Sequence, residues 1–223
     1  MKKLFVVILL FSFALINGKE KQKYINVTGT SELTVPADQI NITVQIKSIA
    51  LSIEESKNNN DKSLTELLNI IKAAGINTDD IQISPISLGK NYEYKNGERV
   101  QNGYFINVDV SILLKDLSKY YELTDKLSLS DNYEITSSGY AVSNYEEQVK
   151  NVFEKALKAA KEKAEYMTKT MNVKLGDVLE IDENNLGGGP IPLNAFAKED
   201  FQQSGISGKV TITRSVRVKF AIM

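Results

Sequence analysis

Any chemistry in this 223-residue chain has to proceed without histidine or cysteine, because it contains neither. That removes the commonest general base, the commonest zinc ligand and every Ser–His or Cys–His nucleophile. Carboxylates, lysines, tyrosines and oxygen-bound hard metals are what remain. Asp79-Asp80 and Asp182-Glu183-Asn184-Asn185 supply oxygen donors suited to calcium. Neither run has ligands at alternating positions closed by a glutamate, which a calcium loop requires, and capping and strand-entry turns account for both. Gly187-Gly188-Gly189 invites a phosphate-loop reading, but Pro190-Ile191-Pro192 follows it in place of a helix start with a Lys-Ser/Thr pair, so it reads as a plain loop. The lysines at 150, 155, 158, 161, 163 and 169 are interleaved with Glu146, Glu147, Glu154, Glu162 and Glu165. Glu154–Lys158 and Glu165–Lys169 have the favourable i,i+4 order of a solvated helix face. No catalytic, cofactor-binding or metal-binding residue is assigned, and no cofactor is expected.

Aromatic residues give the best local signal. Tyr92, Tyr94 and Tyr104, with Phe105, cluster around Gly89–Gly103, where Asn96-Gly97 and Asn102-Gly103 are turn signals. Tyrosine is enriched at protein interfaces, so Tyr92, Tyr94 and Tyr104 are the candidate interface on an exposed hairpin tip. The competing reading is that alternate residues of this stretch pack into a sheet.

The elements that must position them follow from periodicity. Tyr24–Val35 alternates and is rich in β-branched residues, Pro36-Ala37-Asp38 is a turn, and Ile40–Ile49 alternates again. An antiparallel hairpin with one wet face is expected. Ser52-Ile53-Glu54-Glu55 is a capping box opening a helix to about Ala74, stopped by Gly75, with Asn58-Asn59-Asn60 loosening its first half. Asp80–Leu88 and Tyr104–Leu114 read as strands, Asp116 caps a short helix over Leu117–Leu129, and Tyr133–Val142 is a further strand. Ser143-Asn144-Tyr145-Glu146 is a second capping box before a long helix from Tyr145 to about Met171, whose stripe carries small alanines. Lys174–Ile181 is a strand, residues 182–204 a loop, and Val210–Ile222 a closing strand on whose apolar face Arg214 is the one break. The order is ββαββαβαββ: an α+β fold of antiparallel sheet with helices packed on one face. Strand–helix–strand–strand recurs over Ile40–Leu114 and Tyr133–Ile222, which suggests two similar halves.

Lys2 and Lys3 precede a run from Leu4 to Ile16 that is apolar apart from Ser12 and is followed by Asn17-Gly18. That is the layout of a secretory signal peptide cut near Gly18. Thirteen residues make a helix of about 20 Å, short of a bilayer core of about 30 Å. The remaining chain is expected to be exported, periplasmic or otherwise, with no transmembrane segment. Lys+Arg number 27 against 28 Asp+Glu, a formal charge of −1 that becomes about −3 once Lys2 and Lys3 leave. This acidity argues against nucleic acid, which selects a basic face. Without cysteine an exported domain must rest on its core alone.

Several stretches together resemble the SIMPL domain family: INVTGTSELTVPAD (25–38), GINTDDIQIS (75–84), Gly103-Tyr104, Asp116-Leu117, KALKAAKEKAEYM running into VKLGDVLEI (155–181), and SGKVTITRSVRVKFAI (207–222). On that resemblance, residues 1–18 are a signal peptide and 19–223 one SIMPL-like domain of α+β fold. Exported members of the family resemble an immunogenic periplasmic antigen and an oxidative stress defence protein, and at least one forms a ring-like homo-oligomer. The family carries no established catalytic residues. Gly29, Pro36, Gly75 and Gly176 are implied to be turn or close-approach positions. The expectation is a non-enzymatic envelope protein acting as a homo-oligomer or through an envelope protein partner, with a link to stress tolerance. The alternative is a periplasmic module binding a small ligand or envelope component.

Overall fold

In the computed structural model, which describes residues 22–183, 191–193 and 208–223, nine strands and three α-helices form an antiparallel α+β fold. The strands divide between two sheets. Strands β2 (Gln39–Ala50), β3 (Ile81–Ile83), β4 (Ser87–Lys95), β5 (Glu98–Leu114) and β6 (Tyr133–Ala141) make the first, in the order β3-β5-β2-β6, with β4 also on β5. Strands β1 (Tyr24–Pro36), β7 (Leu175–Glu183), β8 (Ile191–Leu193) and β9 (Lys209–Ile222) make the second, in the order β1-β9-β7, with β8 on β9.

The expected β1–β2 hairpin does not form. β1 pairs along its whole length with the last strand, from Tyr24 opposite Ala221 to Pro36 opposite Lys209, while β2 lies between β5 and β6. Pro36-Ala37-Asp38 is a crossing between sheets, and each free N–H is taken by a different strand end. Ala37 donates to the Gly208 carbonyl at 2.9 Å and Asp38 to the Ala141 carbonyl at 3.2 Å. The unit boundaries move with it: β6 closes the first sheet by pairing with β2, so it does not open the second half.

Alternation builds the first core. Ile40, Ile42, Val44 and Ile46 of β2 and Val108, Val110, Ile112 and Leu114 of β5 point to one buried face. Helix α1 (Ile53–Ala73) covers them with Leu67 and Ile71, and α2 (Tyr120–Ser128) adds Leu123 and Leu127. Ser52 caps α1 by accepting from the Glu55 N–H at 3.1 Å, and Gly75 follows at φ +73°. The asparagine run does not loosen α1. Asn60 is buried, and its amide donates to the Ile46 carbonyl at 3.2 Å and the Ile106 carbonyl at 3.4 Å, tying the helix to two strands.

The second core is built from β1, β9 and α3 (Tyr145–Thr170). Ala156, Ala160 and Ala164 are buried on α3 and let it lie close to the sheet against Val27, Val216, Val218 and Phe220. The second capping box is not used as such. Asn144 holds the cap position without a side-chain bond, and Ser143 turns to Asp38, whose carboxylate accepts from its N–H at 2.8 Å and its hydroxyl at 2.6 Å. On the outer face of α3 the pair within ion-pair range is Lys161–Glu165, at 3.8 Å. The leader-like segment, residues 1–18, and Gly187–Gly189 lie outside the described residues.

Candidate interaction site: the β4–β5 ribbon

Of the two acidic runs, Asp182-Glu183 ends β7, with Asn184 and Asn185 outside the described residues, and Asp79-Asp80 takes a structural role. Asp79-Asp80 sit in a 3-10 turn (Thr78–Asp80) capped by Asn77, whose side-chain oxygen accepts from the Asp79 N–H at 3.1 Å. The Asp80 carboxylate pairs with Lys115 at 2.6 Å. Asp116 likewise holds its turn by accepting from the Ser118 N–H and hydroxyl, and those bonds keep its carboxyl below the usual range.

The stretch Gly89–Gly103 is an ordered two-stranded ribbon, not an irregular tip. Lys95 lies opposite Glu98 across the two-residue loop Asn96-Gly97. Their φ values of 55° and 85° are the left-handed pair that this hairpin turn demands and that Asn-Gly accepts. Asn102-Gly103 is a bulge and not a turn, because the register shifts between Asn91 and Tyr92. Gly103 has φ +125°, and a side chain there would collide with the Ala50 carbonyl, so the ribbon leaves the sheet at this point over bare backbone. The Asn91 amide donates to the Asn102 side-chain oxygen at 2.6 Å and closes the bulge.

Alternation along β4 places Leu88, Lys90, Tyr92 and Tyr94 on one face, and the register sets Lys90 opposite Tyr104. The three candidate tyrosines therefore share a face but not a cluster. Tyr92 is 40% exposed and Tyr94 77%. Tyr104 sits at the ribbon base, part-buried, its carbonyl accepting from the buried Ser56 hydroxyl at 2.9 Å. Two residues not singled out from the sequence complete the surface. Leu88 is 51% exposed on the same stripe, and the Arg99 guanidinium stacks over the Tyr92 ring at 3.9 Å. The signal for Leu88 was its period-2 spacing from Tyr92. Nothing in the sequence marks Arg99 before the hairpin register is known.

The ribbon's opposite face is polar and pre-ordered. Glu93 pairs with Lys95 at 2.5 Å, and that contact, with a smaller contribution from the Asn102 amide, holds its carboxyl below the usual range. At the base, Phe105 packs its ring over Gly89, where a side chain would overlap it. Among the described residues no helix is long and apolar enough to cross a membrane.

These features define a two-sheet antiparallel α+β protein that presents an aromatic β-ribbon as its most distinctive exposed surface. The chain belongs to the SIMPL family, described as a protein of unknown function (DUF541), whose model matches residues 25–220. It is 24% identical over 159 residues to the uncharacterized protein YggE of Edwardsiella ictaluri, a match covering 71% of this chain and 66% of that protein. It is also 24% identical over 174 residues to the 26 kDa periplasmic immunogenic proteins of Brucella melitensis and Brucella abortus, covering 76% of this chain and 70% of theirs.

Proposed function

We propose that this chain is a non-enzymatic exported protein of the cell envelope that works by contact, assembling with itself or with an envelope protein through the β4–β5 ribbon, in a role linked to stress tolerance. One observation carries the reading: Leu88, Tyr92 and Tyr94 form an exposed stripe on a ribbon whose turn and bulge fix its direction. Rigid aromatic side chains lose little entropy when covered and supply large contact area. The Arg99 guanidinium over Tyr92 adds a cation at the rim, as interfaces favour. Export is supported by the leader-like sequence and by the periplasmic designation of the Brucella relatives.

The test is light scattering of the chain beginning at Lys19, beside a variant lacking Lys90–Gln101 and the double variant Tyr92→Ser/Tyr94→Ser. Self-assembly predicts a parent mass above that of one chain and a lower mass for both variants. A parent that remains a strict monomer at high concentration removes the assembly reading.

A further inference from the structure

A second surface lies on the far side of β2 from the ribbon. An open, polar cleft of about 330 Å³ borders Lys47, Ser48 and Ile49, three consecutive residues of β2. Consecutive side chains of a strand point to opposite faces, so a cleft touched by all three sits at the strand's edge. The register agrees. β2 pairs with β5 as far as Ala50 opposite Tyr104, but with β6 only as far as Ile46 opposite Tyr133. Lys47–Ala50 therefore has no strand partner on the β6 side, and the cleft fills the place a strand continuing β6 would take.

The chain itself turns away there. The Asn132 N–H bonds the Ser130 hydroxyl at 3.3 Å, and Asn132 borders the cleft just ahead of Tyr133. The other wall is α1, fixed in place by two bonds: the Tyr133 hydroxyl donates to the Ser63 carbonyl at 3.1 Å, and the Asn60 amide reaches the Ile46 carbonyl. Lys62 and Glu66 line that wall. Among the described residues, Lys47, Lys62 and Glu66 make no ion pair within 4.0 Å, although Lys62 and Glu66 are one helical turn apart. The Lys47 ammonium lies 5.8 Å from the centre of the Phe105 ring of β5, a contact that leaves its charge unneutralised, so two ammonium groups against one carboxylate leave the cleft net positive.

We infer that this cleft binds a short, extended acidic peptide segment, which adds as a strand along Lys47–Ala50. An unpaired strand edge supplies main-chain donors and acceptors for strand addition, while side-chain groups beside it set specificity. Lys47 belongs to the outer face of the sheet and Lys62 to the helix-covered face. Adjacent residues of an added strand point to those two faces in turn, so two consecutive acidic residues match the two lysines. Glu66, one turn beyond Lys62, opposes a longer acidic run and so fixes the register. This inference is independent of the ribbon.

The experiment uses the ¹⁵N-labelled chain from Lys19 and the peptide acetyl-Val-Thr-Asp-Asp-Val-Thr-amide. Binding should shift the backbone amides of Lys47–Ala50 and Asn132 and weaken as salt rises from about 50 to about 300 mM. The double variant Lys47→Glu/Lys62→Glu should weaken it by about tenfold or more. Both lysines are exposed, so the fold should survive; the single variant Lys62→Gln, expected to lose about threefold, repeats the test with a milder change. Equal binding of acetyl-Val-Thr-Lys-Lys-Val-Thr-amide, shifts mapping elsewhere, or no shifts at millimolar peptide would overturn the inference. So would free aspartate producing the same shifts, which would make the cleft a small-anion site.

Discussion

Replacing Gly29 with alanine puts a measurable number on the closeness of α3 to the second sheet. A β-carbon at Gly29 would lie inside van der Waals distance of the Ala156 carbonyl oxygen and the Ala160 N–H nitrogen, with the Ala160 β-carbon only slightly farther away. The two nearest atoms are helix backbone, so no rotamer change can relieve the overlap and α3 has to move as a body. Its neighbours oppose that movement, because Ala156, Ala160 and Ala164 are fully buried against Val27, Val216 and Val218. Overpacking in a well-filled core costs about 1–3 kcal/mol, and a rigid backbone obstacle argues for the upper end. Set against this is about 0.4–1 kcal/mol gained by restricting the unfolded chain. The net expectation is a loss of about 2 kcal/mol, which for a domain of this size lowers Tm by about 4–8 °C. Urea and thermal unfolding of the chain from Lys19 would read both. Gly139→Ala is the control, since nothing lies within 4 Å of a β-carbon there, and it should be neutral or slightly stabilising. Adding Ala160→Gly should recover only a minor part of the loss, because the nearer obstacles remain. If Gly29→Ala unfolds at or above the parent's midpoint, the close approach of α3 to β1 is wrong.

Asn60→Leu removes the amide that joins α1 to β2 and β5 and should cost about 1–3 kcal/mol in urea unfolding, whereas the exposed Asn58→Leu should cost little. Burial raises the Tyr133 phenol above its ordinary value, so the folded state keeps a proton that the unfolded state releases. That contribution to stability is complete below a pH of about 10 and is lost as pH rises through the folded value. Tyr133→Phe should therefore flatten the alkaline fall in stability while costing about 1 kcal/mol at neutral pH for the lost bond to Ser63. In the ribbon, Lys95→Met should move the Glu93 carboxyl up toward its ordinary value, read by NMR titration; no change would show that the ribbon's polar face is not pre-ordered. Gly103→Ala should destabilise the ribbon and expose the amides of Tyr92 and Gln101 to hydrogen exchange, because the Ala50 carbonyl stands where the new methyl would go.

What could be read from the sequence was local. The Ser52 cap, the Gly75 stop, the Asp116 turn, the extent of α3 and the alternation of β2 and β5 each rest on residues within a few positions of one another, and each is present. The hairpin between β1 and β2 failed because adjacency was taken for pairing. Pro36-Ala37-Asp38 lacks the Asn-Gly or Asp-Gly pair that a two-residue hairpin turn favours, since Gln39 follows Asp38, and its N–H groups go to Gly208 and Ala141, far away in the chain. The same test, applied to Asn96-Gly97, finds the hairpin that does exist. Likewise, Ser143 looked like a helix cap by spacing alone, yet the Asp38 carboxylate competes for its hydroxyl from the other side of the sheet crossing.

The candidate sites divide along the same line. Tyr92 and Tyr94 were visible as candidates because exposure on one face of a ribbon needs only period-2 spacing and a turn signal, both local properties. Their cation was not, since Arg99 reaches Tyr92 only through the cross-strand register that the Asn96-Gly97 turn sets. The cleft beside Lys47 is wholly non-local: it exists because β6 stops pairing at Ile46 while β5 continues to Ala50, a difference between two long-range registers. Composition had already excluded a histidine- or cysteine-based centre, and among the described residues an exposed aromatic ribbon and an unpaired strand edge are the surfaces that the structure adds. Two such surfaces flank β2, one aromatic and one basic. An assay that follows mass alone would report the first and miss the second, so the two have to be separated by reading amide shifts at Lys47–Ala50 alongside assembly size.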